Sequence, residues 1–144
     1  MKIMLINGVN LNFLGIREKN IYGNKDFETI CNEIKEYADE KGVDITLFQS
    51  NCEGTIVDQL QKAYIENYDG VIINPGAYTH YSYAIYDAIK SIGIPCIEVH
   101  LSNIFEREDF RKNCVTTPAC ADQIYGLGDK GYLVAIDRLA EMLK

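Results

Sequence analysis

The sequence predicts an α/β three-layer sandwich built on a five-stranded parallel sheet, and three observations carry that expectation. Short β-branched runs alternate with segments whose apolar residues recur every three or four positions. The strand candidates include continuous apolar runs such as Val71-Ile72-Ile73, which suit strands covered on both faces. Most connections are short, so successive elements pack as neighbours. A chain of 144 residues, 47% hydrophobic and 24% charged, suits a single domain over residues 1–144 and excludes a disordered polypeptide.

Strands are expected at residues 2–6, 43–49, 70–74 and 94–99, with a weaker candidate at 123–127. Between the first two, residues 26–41 read as a helix, because Phe27, Ile30, Ile34, Tyr37 and Ala38 share one face. Gly42 is placed to close it in a left-handed cap. Ser50 followed by Glu53 fits a capping box opening a second helix, with Ile56, Val57, Leu60, Ala63 and Tyr64 as its inward stripe. A third helix covers residues 83–92, stopped by Gly93 and Pro95, with Ala84, Ile85, Ala88, Ile89 and Ile92 inward. Residues 132–143 form the last. The wiring that fits this alternation is flavodoxin-like.

Composition narrows the partners. Lys plus Arg number 14 against 21 Asp plus Glu, a formal charge of −7, which argues against nucleic acid as a ligand. A small anion remains compatible, since one arginine and a few backbone amides hold a carboxylate. The first apolar run is too short for a signal sequence, and no 18-residue apolar run offers a membrane span, so a cytoplasmic protein is expected. The five cysteines (Cys31, Cys52, Cys96, Cys114 and Cys120) are odd in number and form no C-x-x-C pair. Reduced thiols are the plain expectation; a Cys114–Cys120 disulfide is the alternative.

Several common sites are missing their parts. Gly126-Leu127-Gly128-Asp129-Lys130-Gly131 matches G-x-G-x-x-G, but no strand with an acidic residue follows about 20 positions on, so it reads as a turn into the last helix. There is no Walker A sequence, and Asn7 and Asn74 stand where a receiver domain carries acids. Cys96 and His100 share a strand face without a second pair nearby, so no metal is expected. An FMN redox protein is disfavoured by the lack of a Ser/Thr-rich phosphate loop after the first strand.

In doubly wound sheets ligands sit beyond the carboxyl ends of the strands. Those ends carry Asn7-Gly8-Val9-Asn10, Asn74 to His80 across Pro75-Gly76-Ala77-Tyr78-Thr79, and His100-Leu101-Ser102-Asn103, so both histidines fall in these loops. The first loop, residues 7–24, exceeds the usual βα length of about 2–6 residues and reads as a lid over the strand ends, the active-site lid itself at about 16–25. Leu11, Phe13, Leu14 and Ile21 within it call for cover. A tyrosine near pH 7 is a poor base until a guanidinium favours its phenolate, and the lid supplies both Tyr22 and Arg17. His100 is either a hydrogen-bonded core imidazole or a general acid polarised by Glu98. Leu101, Ser102 and Asn103 offer backbone amides to a carboxylate. Arg111 lies in a charged run that reads equally as a solvated face.

Taken together, these segments resemble the type II 3-dehydroquinate dehydratases over essentially the whole chain. The resemblance is carried by Ile6-Asn7-Gly8-Val9-Asn10-Leu11-Asn12, Gly15-Ile16-Arg17-Glu18, Ile21-Tyr22-Gly23 and Gln49-Ser50-Asn51. It is strongest in Ile73-Asn74-Pro75-Gly76-Ala77-Tyr78-Thr79-His80 and Glu98-Val99-His100-Leu101-Ser102-Asn103. It implies a cytoplasmic hydro-lyase of the shikimate pathway, serving chorismate and aromatic amino acid biosynthesis. Such an enzyme converts 3-dehydroquinate to 3-dehydroshikimate and water by anti elimination through an enolate, with no metal or cofactor.

By resemblance, Tyr22 is the base, Arg17 keeps it ionised, and His100 is the acid. Asn10 orders a water at the enolate, and Asn74 binds substrate. His80 and Arg111 match hydroxyl-binding positions, Leu101 and Ser102 the carboxylate-binding pair, and Asp87 a residue reaching a neighbouring subunit in a homododecamer of trimers. The chain departs from the usual pattern at Val9, Lys19, Tyr81, Tyr86 and Phe105, none of them an expected acid or base. The competing expectation from another class is a flavodoxin-like binding module that keeps the pocket without the chemistry.

Overall fold

The computed structural model describes residues 1–16, 18–22 and 24–144, with Lys19 and Tyr22 described by their backbone. Five parallel strands form one sheet: β1 (Lys2–Asn7), β2 (Asp44–Gln49), β3 (Gly70–Asn74), β4 (Cys96–His100) and β5 (Asp122–Tyr125). Their order is β2-β1-β3-β4-β5, the flavodoxin-like arrangement, with the chain reversing direction of travel beside β1. A four-residue helix, α1 (Lys19–Tyr22), lies in the long first connection. The remaining helices are α2 (Phe27–Glu40), α3 (Glu53–Ile65), α4 (Tyr83–Ile92) and α5 (Lys130–Met142).

Alternation of side chains along β1 assigns the two faces. Ile3 and Leu5 pack with Ile30 and Ile34 of α2 and with Tyr132, Ala135 and Leu139 of α5. Met4 and Ile6 point the other way, into Ile56 and Leu60 of α3 and Ile85 and Ile89 of α4. Every residue of β3 and β4 is buried, as strands covered on both faces must be. At about 25 cal/mol per Å² of apolar surface, these two layers supply the main drive for folding.

The helix ends follow from capping chemistry, with one correction. Asp26 accepts from Thr29 N at 2.8 Å to open α2, and Gly42, at φ 71°, follows its end in the left-handed region. The expected Ser50–Glu53 capping box does not form. Ser50 Oγ accepts from Cys52 N at 3.0 Å, Cys52 is the N-cap residue of α3 without a side-chain bond, and Glu53 turns instead to Ser82. The same Ser82 hydroxyl, 2.5 Å from Glu53 Oε2, also accepts from Ile85 N at 3.1 Å and caps α4.

Three smaller expectations are corrected. Strand β4 begins at Cys96 rather than Ile94, since Pro95 has no N–H to give the ladder and contributes only its carbonyl, to Val71 N at 2.9 Å. Tyr64 and Ala84 face outward rather than into the core. Phe13 lies 52% exposed, whereas Leu11 and Leu14 are covered. The cysteines are as expected, all five being free thiols; the Sγ atoms of Cys114 and Cys120, the pair of the alternative disulfide, turn to the carbonyls of Arg111 and Thr116, each at 3.6 Å.

Candidate active site

The carboxyl ends of β1, β3 and β4 meet at a small cleft of about 130 Å³. From the β1 loop come Val9, Asn10 and Leu11; from the β3 loop, Asn74, Gly76, Ala77 and His80; from β4 and beyond, His100, Leu101, Ser102 and Ile104, with Arg107 and Arg111 closing the side. The cleft thus gathers Asn10, Asn74, His80, His100, Leu101, Ser102 and Arg111, seven of the ten residues expected at a site. Arg17 and the Tyr22 side chain lie outside the described residues; the Tyr22 backbone ends α1. Asp87 lies exposed on α4, away from the cleft lining of its own chain.

The floor is set by backbone that tolerates no side chain. Gly8 N donates to Asn74 O at 2.7 Å, and a Cβ on Gly8 would sit 2.5 Å from Pro75 O. Gly76 adopts φ 64° with Val9 O only 2.7 Å from where a Cβ would stand. These approaches draw the β1 and β3 loops together. Asn10 holds a left-handed φ of 69°, fixed by its N–H donating to Asn51 Oδ1 at 3.0 Å. Gln49 Nε2 donates to the same Asn51 oxygen at 3.1 Å, and Tyr78 OH donates to Asn51 O at 2.7 Å.

At the other side, His100 ends β4 at 5% exposure, and its Nε2 lies 2.8 Å from Glu98 Oε2. Glu98 is fully buried, an arrangement that needs compensation. Five groups supply it: His100, Thr116, Thr117 at 2.6 Å, Thr79 at 3.1 Å and Gln123 Nε2 at 3.1 Å. Burial pushes the Glu98 carboxyl up, but the bonds from His100, Thr116 and Thr117 outweigh it and hold the group below its ordinary value. An ionised Glu98 therefore accepts the His100 Nε2–H and leaves Nδ1 as the ring's remaining nitrogen.

His80 is fixed the opposite way. Its Nδ1 lies 2.8 Å from Asn113 O, and a carbonyl can only accept, so Nδ1 carries the proton. Burial, opposed by that bond, lowers the imidazole below the usual histidine value, leaving neutral His80 with Nε2 as an acceptor. Arg111 pairs through Nε with Glu108, and Arg107 Nη1 donates to Ser102 Oγ at 3.2 Å.

Arg107 was not expected here, nor the threonine cage around Glu98. The i, i+4 spacing of Arg107 and Arg111 was the available signal for the first. The cage assembles from segments far apart in sequence and left no local signal. Among the described residues no group of three His, Cys, Asp or Glu is placed to hold a metal ion, and no helix is long and apolar enough to cross a membrane.

The chain is similar to known proteins along nearly its whole length. Residues 1–140 match the family described as dehydroquinase class II. A 3-dehydroquinate dehydratase of Clostridium beijerinckii is 67% identical over 139 residues, covering 96% of this chain and 95% of that protein. The crystal structure of a type II dehydroquinase from Butyrivibrio crossotus superposes with a TM-score of 0.96 at 58% identity, covering 97% of each chain. That of Propionibacterium acnes gives 0.94 at 39% identity, over 97% of this chain and 96% of its own.

Proposed function

The chain belongs to the class II dehydroquinase family, and from that membership we propose that it is a hydro-lyase removing water from 3-dehydroquinate to give 3-dehydroshikimate. The observation that carries the reading is His100, opening on the cleft at the end of β4 with a buried, ionised Glu98 behind it. Loss of water from a β-hydroxy ketone needs a base at the α-carbon, a stabilised enolate and an acid at the leaving hydroxyl.

In the proposed route the Tyr22 phenolate removes the proton beside the ketone, and the Arg17 guanidinium keeps that phenolate charged. The electron pair moves onto the ketone oxygen, where a water ordered by Asn10 steadies the enolate. His100 then delivers a proton to the departing hydroxyl, the pair returns to form the conjugated double bond, and water leaves. Glu98 compensates the imidazolium that precedes this transfer. Each proton transfer contributes about 10² to 10⁴ in rate. The balance is one water lost with no change of oxidation state, so the stoichiometry calls for no redox cofactor.

Neutral His80, through its Nε2 lone pair, and Arg111 are suited to ring hydroxyls, and Asn74 to a further ligand oxygen. Leu101 and Ser102 are suited to the carboxylate through their amides and the Ser102 hydroxyl, with Arg107 adding charge beside them. Base and acid approach from opposite sides in this scheme, which makes the elimination anti. Asp87, exposed on α4, is assigned to a neighbouring subunit's site in a homododecamer. The enzyme is placed in the cytoplasm and the shikimate pathway.

The test is the absorbance of the conjugated enone formed when purified protein meets 3-dehydroquinate. We expect steady product from the parent and none above background from Tyr22→Phe, with an unchanged circular dichroism spectrum. Near-normal turnover by that variant removes the mechanism, and absence of turnover by the parent removes the function.

A further inference from the structure

At the cleft floor three polar side chains are buried together, and the chemistry above uses only Asn74 among them. Tyr132, in the first turn of α5, is fully buried, with its ring in the apolar cluster that also holds Ile3, Leu5 and Ile72. Its hydroxyl donates to Asn7 Oδ1 at 2.5 Å and accepts from Asn74 Nδ2 at 3.0 Å. Asn7 and Asn74 are register partners at the ends of β1 and β3, 1% and 3% exposed. Of the three, only Asn74 reaches the cleft.

The orientation of the Asn74 carboxamide is fixed from both ends. Gly76 N donates to Asn74 Oδ1 at 3.1 Å, and a backbone N–H can only donate, so that atom is the oxygen. The nitrogen then faces Tyr132 and gives it one of its two protons. Burial pushes the Tyr132 hydroxyl above the usual tyrosine range, so it stays protonated and keeps donating to Asn7. The Asn7 oxygen in turn sets the rotation of that hydroxyl, aiming a lone pair at Asn74.

We infer that Tyr132 is a positioning residue: with Gly76 N it locks Asn74 so that the second Nδ2–H is offered to the cleft, selecting a ligand oxygen that accepts rather than a group that donates. The ligand's identity rests on the function proposed above; the orientation of Asn74 does not. Removing the Tyr132 oxygen leaves the Asn7 oxygen buried without its donor, and the Asn74 carboxamide held by Gly76 N alone.

The test is Tyr132→Phe, assayed at a temperature where it is fully folded. KM for 3-dehydroquinate and Kd for quinate, the ketone-free analogue, are expected to rise about tenfold, with kcat falling less. Ile34→Val, in the same apolar cluster but without a polar atom to offer either asparagine, serves as the destabilised control and is expected to keep the parent's KM. A lower melting temperature in both variants with KM unchanged in both makes the hydroxyl merely structural and overturns the inference.

If Tyr132→Phe does not fold, the parent carries the test by nuclear magnetic resonance. Quinate is expected to shift one Asn74 side-chain amide proton strongly and the other little; equal or absent shifts overturn the inference. A parent that neither turns over 3-dehydroquinate nor binds quinate overturns the function and this inference with it. An active parent whose KM survives Tyr132→Phe overturns the inference alone.

Discussion

Glu98 concentrates the residue-scale physics of this chain. A carboxylate without solvent exposure stands only because hydroxyl, amide and imidazole donors surround it. Thr117→Val removes one donor from a buried charge and is expected to cost about 1.5–3 kcal/mol in chemical denaturation at pH 7. The difference should shrink in acid, where the carboxyl becomes protonated.

Of the four groups held below their ordinary values among the described residues, Asp26 and Glu108 are exposed, so the pH dependence of the parent follows chiefly from Glu98 and His80. The folded-state value of Glu98 lies below its ordinary 4.5, so its stabilisation is complete above 4.5 and is lost as pH falls through the folded value. His80 is likewise held below its ordinary 6.5, so the unfolded chain takes up a proton first, and stability drops as pH falls below 6.5. The melting temperature is therefore expected to fall in two stages on acidification from neutrality. His80→Gln removes the upper stage; a melting temperature flat between pH 7 and 5 in the parent contradicts this.

At the scale of elements, the cleft exists because two loops touch without side chains between them. Gly8→Ala would force a Cβ to within 2.5 Å of Pro75 O, a backbone atom that yields only if the β3 loop moves. We expect a loss of about 1–3 kcal/mol in equilibrium unfolding, with turnover impaired beyond the loss of folded protein. Ser82→Ala removes the cap of α4 and should cost about 0.5–2 kcal/mol, with KM and kcat at their parent values.

The elements themselves were largely readable in the sequence. Val71-Ile72-Ile73 announced a two-sided buried strand, and α4 begins and ends where its apolar spacing and Gly93 place it. What failed was competition between partners. Ser50 and Glu53 have the right spacing for a capping box, but Ser82, 29 residues from Glu53, offers that carboxylate a better hydrogen bond. Tyr64 and Ala84 follow the helical period yet face outward, because each lies at the margin of its apolar stripe. The cleft residues were legible for a different reason: strand ends in this wiring are where ligands bind, and both histidines sit there. The cage of Thr79, Thr116 and Thr117 was not, since it needs the tertiary approach of three segments.

For the whole molecule, the exposed apolar residues of α3 and α4 bear on assembly. Tyr64, Ile65 and Tyr83 are each more than 60% exposed, which suits a surface shared with further copies. Light scattering is expected to give twelve times the 16.3 kDa chain mass, and a monomer would leave Asp87 without the neighbouring site assigned to it.

The most direct measurement follows one labelled hydrogen. In 3-dehydroquinate carrying deuterium at a single position beside the ketone, a base and an acid on opposite faces remove the hydrogen trans to the departing hydroxyl. We predict that the trans label is lost to solvent and the cis label is retained in the enone. Retention of the trans label with loss of the cis one would contradict the opposed roles proposed for Tyr22 and His100.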